Sequence, residues 1–135
     1  MIANAIVWKL GNTSAISAVV SDRIFPHCVP MDINLMPQLV YEFKTPTSEI
    51  NYAGATGLYS VELSVYCIAK TYADAQALAR LVLTALQGQS GTWDDIAIDN
   101  VLYQDYAEDN SINANDPNDI EYYVCEPTFV VWFKL

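Results

Sequence analysis

Between Arg80 and Lys134 the chain has no lysine or arginine, and only six basic residues occur in all. Ten of the sixteen carboxylates fall between Asp94 and Glu126, and the formal net charge is −10. Binding to nucleic acid draws on Lys and Arg displacing phosphate counterions, so ordinary DNA binding through a basic patch is disfavoured. Histidine is nearly missing too, His27 being the only imidazole. There is no Gly-x-Ser-x-Gly, no phosphate-binding glycine loop and no paired metal-ligand spacing, which leaves little support for catalysis. The three cysteines, Cys28, Cys67 and Cys125, are odd in number and widely spaced, which argues against a disulfide framework or zinc knuckle. They read as reduced core residues. No apolar run approaches the ~20 residues a membrane-spanning helix needs. The start Met1-Ile2-Ala3-Asn4 lacks a basic leader, so the expectation is a protein made and kept in the cytosol.

What is abundant is apolar side chain: 53% of the 135 residues are hydrophobic and 16% charged. A chain of this length makes one domain, 1–135, and folding should bury roughly two-thirds of the surface of the unfolded chain. So high an apolar fraction suggests that other subunits cover part of the surface.

Tyr59, Val61, Leu63, Val65 and Cys67 recur at every second residue, the period of a strand with one buried face. The period then becomes 3.6, with Tyr72, Ala75, Leu78, Ala79, Val82 and Leu86 on one face of a helix. Thr71 with Asp74 fits a capping box at its start, and Gly88 supplies the stop. Upstream, Ile2 to Leu10 predicts a first helix. A second, capped by Thr13 or Ser14, should bury Ile16, Val19 and Val20. Pro26, Pro30 and Pro37 punctuate a surface loop, and Gln38 to Lys44 alternates as a strand that the polar 45–52 segment continues past Pro46. Downstream, Asp94-Asp95 forms a tight turn, Val101 to Tyr106 a strand, and 109–119 an exposed loop. The last segment, Tyr122 to Leu135, is a strand apolar on both faces. The fold class is α+β: an antiparallel sheet of four to five strands with helices packed on one face.

Two chemical constellations fail on inspection. His27 and Cys28 are adjacent, and neighbours in sequence rarely point at one another; no third group orients them. The Asp/Asn run from Asp109 places Ala114 where a calcium loop of the EF-hand kind needs its glycine.

The order of motifs resembles a phage family, the tail completion or tail terminator proteins of long-tailed bacteriophages. Arg23-Ile24-Phe25-Pro26 and Pro37-Gln38-Leu39-Val40-Tyr41 are similar to its opening, and Val61 to Ala75 to its most recognisable block. Ala85-Leu86-Gln87-Gly88 with Gly91-Thr92 fits its helix end and following turn. The resemblance covers roughly residues 1 to 106 and weakly the last strand; the acidic 107–121 segment and the Trp93-Asp94-Asp95 turn map onto no family motif. It implies a structural virion protein without catalytic residue or cofactor, forming a homohexameric ring at the head-tail junction. Such a ring completes the tail tube and joins it to the neck, with tail tube protein and a neck or head-closure protein as partners. DNA would pass through without specific binding.

Within that picture, Asp105, Glu108 and Asp109 are candidates to face the channel. Thr47, Ser48, Glu49, Ile50, Asn51 and Tyr52 are candidates for a subunit-contact arm. The alternatives are another neck or head-closure ring protein, or a small-molecule-binding domain on the same fold.

Overall fold

A computed structural model describes residues 2–28, 32, 34–44, 51–52, 58–113 and 115–134, with backbone alone at 51–52, 113 and 117–119. Helices α1 (Ile2–Gly11) and α2 (Ser14–Val20) come first, followed by β1 (Ile24–Pro26), β2 (Gln38–Lys44), β3 (Asn51–Tyr52) and β4 (Leu58–Ala69). Helix α3 (Tyr72–Leu86) and strands β5 (Gly91–Trp93), β6 (Ile96–Asn113) and β7 (Asp116–Lys134) complete the chain. Six strands cross the sheet in the order β1-β2-β4-β7-β6-β5, curled into a half-barrel, and β3 pairs with β4 beside this path. The sheet is therefore larger than the four to five strands expected, and it is mixed, since β1 runs parallel to β2.

Alternation decides the faces. Leu39 lies opposite Cys67, Leu63 opposite Phe129, and Val61 opposite Val131, so one face is a continuous apolar layer. Helix α3 packs on it, burying Ala75, Leu78, Val82 and Leu86, and α1 adds Ala5, Ile6 and Leu10. At the head of α3 the Thr71 side chain accepts a hydrogen bond from the Asp74 N–H at 3.2 Å, as the sequence predicts. At its foot Gly88 takes φ +69° and donates its N–H to the Val101 carbonyl at 2.7 Å, which ties the helix end to β6. In α2, Ile16 and Val20 are buried but Val19 is exposed, because a seven-residue helix presents only one narrow stripe. Cys67 and Cys125 lie buried on opposed strands, whereas Cys28 is exposed just past β1; all three are free thiols.

Asp94 and Asp95 both have positive φ, 49° and 69°, and close a two-residue turn between β5 and β6. The largest departure from expectation follows it. The acidic segment expected as a loop is the distal part of a long hairpin, since β6 runs to Asn113 and β7 starts at Asp116. Asn and Asp disfavour strands when packing is absent, but strand preference depends strongly on context. Pairing from Asp105 with Thr128 out to Ser111 with Tyr122 overrides it, and register shifts near Tyr103/Asp105 and Ser111/Ile112 mark bulges. The last pairing of β4 is Ala69 with Tyr123, so the remainder of the hairpin continues past β4 as a two-stranded ribbon. At ~3.3 Å per residue the three residues of β6 beyond Asn110, the partner of Tyr123, carry it about 10 Å.

Candidate assembly surfaces

On the helix side of the sheet, the bulge after Tyr103 brings Tyr106 and Glu108 to face α3. Tyr72, at the start of the helix, places its hydroxyl 2.8 and 2.7 Å from the two oxygens of Glu108. Tyr106 donates to the same carboxylate at 2.7 Å, and Gln76 Nε2 donates to the Tyr72 oxygen at 2.8 Å. The Cys125 thiol lies 3.8 Å away. These donors, the Tyr106 hydroxyl foremost and then that of Tyr72, hold the Glu108 carboxyl below its usual range. In return the hydrogen bond to Glu108 raises Tyr72, and burial, with bonds to Cys125 and Glu108, raises Tyr106.

The linkage has a definite sign. A carboxyl whose folded pKa is depressed stabilises the fold above its ordinary value of 4.5, and that contribution disappears as pH falls through the lower folded value. The phenols contribute below their ordinary value of 10.0 and lose that contribution as pH rises beyond it. Thermal unfolding of the wild type and of Glu108→Gln should therefore differ at neutral pH and converge as pH falls below 4.5 and through the lower folded value. A gap independent of pH would show that the charge is not its source.

Beside this cluster a groove of about 280 Å³ runs between α3 and the hairpin, lined by Ala79, Arg80, Leu83, Tyr103 and Pro127. Tyr103 and Tyr106 are about two-fifths exposed along it, at 40% and 39%. Arg80 forms no ion pair among the described residues.

No helix packs on the other face of the sheet among the described residues. Lys44 Nζ meets Glu126 Oε2 at 2.9 Å and lies 5.5 Å from the Tyr66 ring centre, and the bond to Glu126 holds the ammonium above its ordinary value. Tyr66 donates to Glu42 Oε2 at 3.2 Å, and His27 Nε2 is 3.3 Å from the same oxygen. Next to these polar pairs lies an apolar strip: Leu102, 48% exposed, opposite half-buried Val130, with half-buried Trp132 further along β7. The final strand is apolar on both faces, as its sequence predicts.

The three candidate channel residues do not share a face. Asp105 and Asp109 pair with Thr128 and Val124 on the helix-free side, where both are exposed, whereas Glu108 pairs with Cys125 and turns toward α3. Asp105 Oδ1 accepts from the N–H of Tyr106 at 2.7 Å, Asp109 Oδ1 from that of Asn110 at 2.8 Å, and Asn100 Oδ1 from that of Val101 at 2.9 Å. Strand β5 covers the outer edge of β6 only at Ile96, Ala97 and Ile98. Of the candidate arm, Thr47, Ser48, Glu49 and Ile50 lie outside the described residues, while Asn51 and Tyr52 pair through their backbones with Ser60 and Tyr59. The Tyr72–Glu108–Tyr106 cluster escaped the sequence reading, which placed Tyr72 on the buried face of the helix; it is 42% exposed.

No protein-family model matches the sequence, and no curated protein matches it. The fold is similar to that of a chain in the virion of a native gene transfer agent (GTA) particle, with a TM-score of 0.69 at 14% identity. The likeness covers 96% of this chain and 92% of that one, so it extends over nearly the whole of both as a likeness of fold.

Proposed function

We propose that the chain is a structural protein of a phage-like virion, with no catalytic role. It forms a ring at the head-tail junction, most simply a hexamer, that completes the tail tube and joins it to the neck around a channel for DNA. The observation that carries this reading is the near full-length likeness of fold to a chain of a GTA virion. Two features of the surface support it. The helix-free sheet face carries the Leu102/Val130/Trp132 strip, an apolar area suited to burial against another protein. The hairpin projects beyond the sheet and gives the subunit two different contact surfaces, as a heterologous ring contact requires. Asp105 and Asp109, which share the helix-free face, are the residues assigned to the channel; Glu108, bonded to tyrosines on the opposite side, is not.

A reconstruction of the assembled particle tests the reading. The expected result is one ring of this chain between tail tube and neck. Density for it in the capsid shell or at the distal tail tip overturns the assignment. A ring contacting the portal but not the tube assigns it instead to the head-closure class.

A further inference from the structure

The hairpin ribbon and the groove beside α3 are complementary in character, and they lie apart on one molecule. Just before its last pairing, Asn113 with Asp116, the ribbon carries a cross-strand pair of isoleucines, Ile112 opposite Ile120, and Ile112 is 54% exposed. Around that pair are Asp116 and Glu121, and no basic residue occurs anywhere in β6 or in β7 before Lys134. An exposed isoleucine at the end of a two-stranded ribbon gains little from its own sheet, because an isolated ribbon is marginal in water. The groove offers the opposite surface: apolar walls from Ala79, Leu83, Tyr103 and Pro127, with the guanidinium of Arg80 at the rim. Arg80 is the only cation between Lys70 and Lys134.

The ribbon runs away from the sheet past the end of β4, so its tip cannot reach the groove of its own subunit. We infer that the tip of one subunit's hairpin docks into the α3 groove of the next copy, Ile112 entering the apolar walls while Asp116 and Glu121 face Arg80. The contact is heterologous, tip to groove, and repeated around an axis it closes a ring. An apolar anchor in a desolvated slot with charges at the rim is the usual distribution of energy in such an interface. The inference rests on the ring reading above and specifies which surfaces make the ring.

The test is oxidative cross-linking of Ile112→Cys with Leu83→Cys in assembled particles, in a Cys28→Ser background so that only buried native thiols remain. Covalent oligomers up to the full ring are expected, and neither single-cysteine variant should give them. In addition Ile112→Asp, at an exposed position that leaves the fold intact, should weaken subunit association by roughly tenfold or more. Arg80→Glu should also weaken it, with partial rescue by Asp116→Lys. A ring seen in the particle with no cross-link, and with Ile112→Asp assembling normally, overturns this contact while leaving the ring. A chain present in the particle as a monomer overturns the ring reading and the contact with it.

Discussion

Leu78→Ala should cost between about 2 and 5 kcal/mol of unfolding free energy. Leu78 sits at the middle of α3, is 1% exposed, and is among the largest fully buried side chains. The helix lies against β4 and β7, whose facing residues include Leu63, Val65 and Phe129, all fully buried. Strand residues held by ladders on both sides cannot collapse into the space a trimmed leucine leaves. The loss should therefore fall well above the transfer term for the removed atoms alone. Chemical denaturation read by tryptophan fluorescence measures it, with Leu81→Ala, at a half-buried position on the same helix, as a milder comparison. A loss below ~1 kcal/mol for Leu78→Ala would mean that α3 does not seal this core.

In the proposed ring, replacing Asp105 and Asp109 together with lysine is expected to produce a grip on the genome at low salt. Two exposed carboxylates per subunit become two cations, and a closed ring would multiply them around its channel. Proteins with several phosphate contacts lose about 10³-fold or more in DNA affinity between low and physiological salt, so the effect should be confined to low ionic strength. Screening over ~8 Å at physiological salt restricts it further to side chains that line a narrow passage. DNA release from the mutant particle should slow by roughly tenfold or more at low salt and recover as salt is raised. Asp105→Asn with Asp109→Asn removes the charge but keeps an oxygen for the neighbouring backbone N–H, which separates electrostatics from local structure. Glu108→Gln, on the opposite face, should leave release unaffected. Unchanged release by the double-lysine particle at low salt would rule out a channel position for these residues.

Much of the fold was legible in periodicity. The α3 segment announced itself through its cap at Thr71, its apolar stripe and the Gly88 stop, and β2, β4 and the Asp94-Asp95 turn followed from alternation and turn chemistry. The ribbon was hidden because its stability comes from a backbone ladder that is largely indifferent to side chain, while its Asn and Asp residues carry the marks of a loop. The parallel pairing of β1 with β2 was hidden because three residues are too few to show a period. Facing was lost for a sharper reason. Plain alternation from Val101 puts Asp105 on the face of Val101 and Tyr103, with Glu108 opposite; one extra residue at the Tyr103/Asp105 bulge reverses both. The Glu108 cluster, the firmest polar arrangement on the helix side, depends on that reversal.

The pattern of side-chain oxygens along β6 also bears on what the open edge of the sheet can pair with. Past Ile98, β6 is an open edge among the described residues, a long row of backbone groups that another chain's strand could continue. At Val101, Tyr106 and Asn110 the N–H groups are already occupied, each by the side chain of the residue before it. Asn100, Asp105 and Asp109 thus act as stoppers, closing donors on the edge while two of the three add repulsion between like copies. A sheet guarded in this way resists growth into fibres by strand addition, and in the proposed ring copies would meet instead through surfaces built of side chains.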